Sequence, residues 1–175
     1  MRVRNIFAAV LLILVVFVSA MLCFAQSSSY EVYRNLTCGF ELRYPAGGQL
    51  TRIAPDTVRI DLPFAPGTTL REKYLQIKVD SGKEYRFDNG IQIDGMKLRF
   101  DRGSEGAVGS IYDFIRCTVV FPDECRATLT FVLHSVNPGM FDSPPPAFDR
   151  VKEVLPFWSI LASLRPVSEA SSPGQ

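Results

Sequence analysis

The sequence holds one histidine and one tryptophan, and its four cysteines include no Cys-x-x-Cys pair. A zinc ribbon and a thioredoxin-like couple both need that close spacing, so neither is available. No run of like charge exceeds two residues, and 19 basic side chains stand against 18 acidic ones. The electrostatic footprint of a nucleic-acid binder is therefore missing, as is a polybasic patch for a membrane surface. Gly103, Gly106 and Gly109 recur at regular spacing, but no Lys-Ser/Thr pair follows them and a strand, not a helix, comes next. That excludes a phosphate-binding loop. The stretches Asp88–Asn89–Gly90 and Asp94–Gly95 lack the alternating ligands and distant Glu of an EF-hand, so they read as turns. Neither Glu72 with Glu84 nor any other acid pair can be set on one cleft for glycoside chemistry. No cofactor and no metal is expected.

What is present begins with a leader. Arg2 and Arg4 precede an uncharged apolar run from Ile6 to Leu22, and Cys23, Phe24, Ala25 lead into the polar stretch Gln26–Ser29. Small residues at 23 and 25 suit cleavage after Ala25, making residues 1–25 a signal peptide; a cut after Ala20 is the second choice. The rival reading is an uncleaved N-terminal anchor, because the run approaches the roughly 20 residues that span a bilayer. Either way the arginines stay inside and the rest is exported, to the periplasm or beyond. Leu22 is too large to precede a lipidated cysteine at Cys23. Once cleaved, the chain keeps no membrane attachment. Residues 26–166 then form one extracytoplasmic domain of ordinary length, and residues 167–175 a polar, disordered tail.

Alternation defines the strands. Phe40, Leu42 and Tyr44 alternate with Glu41 and Arg43 up to Pro45, and Val58, Ile60 and Leu62 alternate with Arg59 and Asp61 up to Pro63. Tyr74–Val79, Ile91–Asp94 and Met96–Phe100 follow, the last two flanking a tight turn. Gly103–Gly109 reads as a glycine-rich loop beside a binding face, and Asn137–Pro146 as the other loop long enough to carry function. Ile111–Phe121 and Cys125–Leu133 form a hairpin. A three-residue connection, Pro122–Asp123–Glu124, sets Phe121 opposite Cys125 and Cys117 opposite Leu129, keeping both apolar sets on one face; a two-residue loop would put one of them in water.

That register separates Cys117 from Cys125 by four strand positions, roughly 13 Å at about 3.3 Å per residue. A disulfide needs Cα atoms within about 7 Å. These two cannot pair, so a bridge, if formed, includes Cys38, with Cys125 beside the turn as the preferred partner. Buried free thiols are the equal alternative. A C-terminal helix is expected to pack on the sheet through Phe148, Val151, Leu155 and Trp158, with Pro156 on its polar side as a kink rather than a stop.

Several segments resemble a group of uncharacterised secreted bacterial proteins: Tyr30–Pro45 (YEVYRNLTCGFELRYP), Leu62–Val79 (LPFAPGTTLREKYLQIKV), Ile111–Phe114 (IYDF) and Leu129–Gly139 (LTFVLHSVNPG). More distantly, the Phe-x-x-x-Tyr-Pro start and the closing segment Ile160–Arg165 resemble the PsbP-like α+β fold. The resemblance implies an accessory or binding protein and defines no catalytic residues.

His134 is the one candidate base. A hydrolase would pair it with Ser135 and an acid such as Asp113, but neighbouring strand residues point to opposite faces. Ser110 or Ser104 could replace Ser135, though nothing in the sequence selects either. A rim histidine bonded to nearby backbone is the plainer reading. The expectation is an α+β domain, an antiparallel β-sheet of five to seven strands with the C-terminal helix on one face. Its expected role is a non-enzymatic binding or accessory module of the cell envelope. It would engage an extracytoplasmic protein or a small ligand at the second sheet face. An extracytoplasmic hydrolase using His134 is the alternative.

Overall fold

The computed structural model describes residues 29–80, 89–107, 109–122 and 124–167, with Ala107 by its backbone alone. The expected leader, Glu84, Asp88 and residues 168–175 of the expected tail lie outside the described residues. Among the described residues, ten strands and one helix follow in chain order: β1 (Tyr30–Asn35), β2 (Phe40–Pro45), β3 (Gln49–Ala54), β4 (Thr57–Asp61), β5 (Leu70–Asp80), β6 (Ile91–Ile93), β7 (Met96–Ala107), β8 (Ser110–Val120), β9 (Arg126–Val136), α1 (Arg150–Ala162) and β10 (Arg165–Pro166). One 3-10 turn, Pro138–Met140, sits between β9 and α1.

The expected α+β class is corrected. With one helix of 13 residues and ten strands among the described residues, the fold is mostly antiparallel β, in two sheets. A seven-stranded sheet runs β3-β4-β5-β9-β8-β7-β6, and a three-stranded sheet runs β1-β2-β10. The sequence hid β1, β3 and β10 because their exposed faces blur the alternation: in β3, five of the six residues are exposed.

The long hairpin has the expected register. Cys117 faces Leu129 and Val120 faces Arg126, and the Phe121 N–H donates to the Cys125 C=O. Glu124 takes a positive φ of 64°, the left-handed residue that three-residue hairpin loops require. Between β6 and β7 the turn is tighter: Asp94 and Gly95 both have positive φ, 49° and 79°, the conformation that a two-residue loop needs for strands of right-handed twist.

Register then fixes the faces. Leu75, Phe131 and Ile115 lie across three neighbouring strands in one row, and Ile77, Leu129 and Cys117 in the next. This inner face is covered by β2, through Phe40, Leu42 and Tyr44, and by α1, through Phe157 and Ile160, all in one core cluster. Phe40 stacks on Phe121 at 4.9 Å and Phe131 on Phe157 at 5.4 Å. Fully burying each such side chain stabilises by about 1.5–3 kcal/mol. Cys38 and Cys125 form a disulfide, with Cα atoms 5.3 Å apart, that ties the β1–β2 turn to the β8–β9 hairpin.

The expected helix face is corrected as well. Val151, Leu155 and Trp158 are exposed, while Glu153, Phe157, Ile160 and Leu164 are buried. Glu153 made the true stripe unreadable. Its carboxylate reaches into the core, where Lys73 Nζ donates to Glu153 Oε2 at 2.6 Å. A charge in an otherwise apolar stripe scores as the polar side of a helix. Asp149 caps the helix by accepting from the Lys152 N–H, so Pro146 and Phe148 precede α1 rather than open it. Pro156 lies inside the continuous helix.

Candidate functional site

Because β2 and α1 cover only part of the inner face, a cleft of about 360 Å³ remains beside the start of α1. Its floor is Ile115, Phe131 and Leu133 from β8 and β9; Val154 forms a wall from the helix. Arg102 and Ser104 of β7, Asp113 of β8 and Arg150 of α1 give it a polar rim. Each placement follows from alternation: Arg102 pairs with Ile115 and Ser104 with Asp113, so all four share the inner face. Arg150 donates to Asp113 across the rim, while Arg102 is exposed and has no ion-pair partner among the described residues. An apolar floor ringed by a few polar groups is the usual form of a small-molecule site, and the volume lies in the usual range.

Gly103 and Ser104 reach this cleft as strand residues. The expected loop Gly103–Gly109 is therefore corrected: residues 103–107 belong to β7, and β8 begins at Ser110, directly after the turn residue Gly109. Gly103 is tolerated mid-strand because the Phe114 ring lies over it. A Cβ at Gly103 would meet that ring at 2.5 Å, the close approach that a strand glycine often marks. The other long segment, Asn137–Pro146, is pinned at both ends. The Asn137 N–H donates to Gly109 C=O, and Pro146 C=O accepts from the Thr69 N–H. None of its residues lines the cleft.

The outer face of the large sheet, expected as the binding face, carries ring and guanidinium contacts. The Arg59 guanidinium sits 3.8 Å from the Tyr74 ring centre and Arg116 lies over Phe114 at 5.2 Å. Between the two rings Val132 is buried. Burial also holds the Tyr74 phenol above its ordinary pKa. Arg59 is further fixed by Asp61 and Glu72, at 2.6 and 3.2 Å.

His134 lies on this outer face, with its ring stacked on Tyr112 at 4.3 Å. Its Nε2 is 3.0 Å from Ser110 Oγ, so the structure selects Ser110 over Ser104 and Ser135. Ser135 is buried on the inner face, and Asp113, also inward, is held by Arg150. The acid beside His134 is Glu72, with Oε1 3.8 Å from Nδ1. That is too long for a hydrogen bond, and Nδ1 is buried with no hydrogen-bond partner among the described residues. Ser110 opens β8, paired with Ala107 of β7 and Val136 of β9.

Sequence reasoning missed Arg102, Arg150 and Val154, because nothing local marks residues that meet only when α1 docks. Of the cysteines, Cys117 remains a free, buried thiol whose pKa is pushed up to about 12 by burial, so it supplies no nucleophile.

No family model and no curated protein matches the chain. Among solved structures it is similar to a protein of Bacteroides thetaiotaomicron determined at 1.50 Å resolution, with a TM-score of 0.55 and 9% identity over 81% of this chain. The match takes in 50% of that protein, so this chain spans about half its length. At that identity the likeness concerns the fold alone.

Proposed function

We propose that this chain is a non-enzymatic binding module of the cell envelope, and that it takes a small ligand in the cleft between α1 and the seven-stranded sheet. The cleft itself is the observation that carries the reading: a preformed apolar floor with Arg102, Ser104, Asp113 and Arg150 at its mouth. Residence outside the cytoplasm is supported by the leader pattern of residues 1–25 and by the Cys38–Cys125 bridge, which is compatible with an oxidising compartment. Among the described residues no helix is long and apolar enough to cross a membrane. The likeness of Tyr30–Pro45 and Leu62–Val79 to secreted bacterial proteins agrees with the same compartment.

A thermal-shift screen of small envelope metabolites tests the reading. Ligands should raise the melting temperature of the protein and fail to do so for Val154→Arg, whose longer side chain fills the cleft. Equal shifts for both proteins would place binding elsewhere. The Ser110–His134 contact favours a second reading, a serine hydrolase in which His134 activates Ser110. A fluorophosphonate should then label Ser110 in the protein and not in His134→Ala; no label on Ser110 ends that reading.

A further inference from the structure

The cleft has a direction along α1. Arg150 opens the helix at the polar rim, Val154 lies one turn later over the apolar floor, and Trp158 lies one turn beyond that. Opposite Trp158 stands Phe100, with ring centres 5.9 Å apart. Phe100 is two residues before Arg102 on β7 and faces Cys117, so it shares the inner face with Arg102. The lining of the cleft reaches Val154 and does not include Phe100 or Trp158; the two rings stand one helical turn beyond it, so that from Arg150 to Trp158 the helix advances about 12 Å, at 1.5 Å per residue, from the guanidinium groups to an exposed aromatic pair. Phe100 and Trp158 remain 38% and 44% exposed, although neighbouring core positions are closed.

Among the described residues, charge at the polar end is not balanced. Arg150 and Asp113 neutralise one another, leaving the Arg102 guanidinium in excess. Lys73 and Glu153 form a closed pair behind the floor and add no net charge. The positive end of the helix dipole also lies at Arg150, and it adds to the same preference for an anion.

Resting on the binding reading above, we infer that the ligand is a single-chain anionic amphiphile, with its carboxylate or comparable head at Arg102 and its apolar chain laid between Val154 and Ile115 toward Phe100 and Trp158. A guanidinium binds a carboxylate through paired N–H donors. The chain would cover apolar surface of the groove that is now wet, and such surface contributes about 25 cal/mol per Å² buried.

Trp158 is the sole tryptophan and reports on the apolar end. The probes are decanoate, decanol, decyltrimethylammonium and acetate, each below any micellar concentration and titrated against the purified protein. Decanoate should shift Trp158 emission to the blue and saturate. Decanol should act more weakly, and acetate and decyltrimethylammonium should not act. Arg102→Glu, a change at an exposed side chain that the fold does not use, should weaken decanoate by about tenfold and admit decyltrimethylammonium. Equal binding of the anionic and cationic probes, or a decanoate response untouched by Arg102→Glu, would overturn the anionic head and leave the cleft reading standing. No Trp158 response to any of the ten-carbon probes would overturn the amphiphile itself, while the cleft reading stands or falls separately on the thermal-shift comparison with Val154→Arg.

Discussion

Lys73 and Glu153 join β5 to α1 inside the core, with side chains only 5% and 10% exposed and Nζ 2.6 Å from Oε2. Lys73→Ala removes one partner and leaves the Glu153 carboxylate buried without a countercharge. Truncating one side of such a pair costs about 3–5 kcal/mol. Replacing both partners together, as Lys73→Met with Glu153→Leu, removes the desolvation of both charges and keeps the volume, and comparable changes range from neutral to about 4 kcal/mol stabilising. With a urea dependence of about 2 kcal/mol per molar, Lys73→Ala should lower the unfolding midpoint by roughly 2 M, while the double variant should match or exceed the unchanged protein. Equilibrium urea unfolding followed by Trp158 fluorescence reads both. Should the double variant be as unstable as Lys73→Ala, the pair would not be the reason Glu153 faces the sheet, and the account of the helix face would be wrong.

Other consequences concern the small sheet and the cysteines. The Cys38–Cys125 bridge spans a sequence separation of 87, which in the chain-entropy account stabilises by roughly 4–5 kcal/mol. Cys38→Ser with Cys125→Ser should therefore lose about that much in urea unfolding, and a loss below about 1 kcal/mol would mean the staple is not structural. Cys117 should resist iodoacetamide in the native protein and be alkylated in guanidinium without reductant, as read by peptide mapping; rapid native labelling would contradict its burial. Hydrogen bonds from Arg165, and next from Arg34, hold the Glu41 carboxyl below its ordinary pKa. A lowered folded pKa gives stability that is present above the ordinary carboxylate range and is lost as pH falls through the folded value. The stability gap between the protein and Glu41→Gln should thus close on acidification, and a gap constant with pH would refute the clamp.

How far the chain could be read without coordinates depended on whether a residue's role was local. Register in the long hairpin was legible because only one loop length kept Ile115, Cys117 and Val119 on the same side as Leu129 and Phe131. The same reasoning removed Cys117 from any bridge with Cys125 and left Cys38, where the disulfide is found. The helix face was misread because Glu153 is inward for the sake of Lys73, 80 residues away, and no window on the helix contains that fact. Gly103 was misread as loop because its strand neighbour Phe114 comes from β8 and fills the space its side chain would occupy. The α+β expectation failed for a related reason: β3 and β10 are short, exposed strands defined by partners rather than by pattern. His134 was visible as a lone histidine, but its contact with Ser110 depends on packing across the sheet. The cleft was invisible because its residues come from β7, β8, β9 and α1 and meet only in the folded chain.

The central claim is that the groove beside α1, and not the outer sheet face, is the working surface. An amide and methyl NMR titration with decanoate addresses it most directly. Shifts should concentrate at Arg102, Ser104, Ile115, Val154 and Trp158 and leave Tyr74, Tyr112 and His134 in place. Shifts centred on Tyr74, Tyr112 and His134, with the groove unmoved, would contradict it.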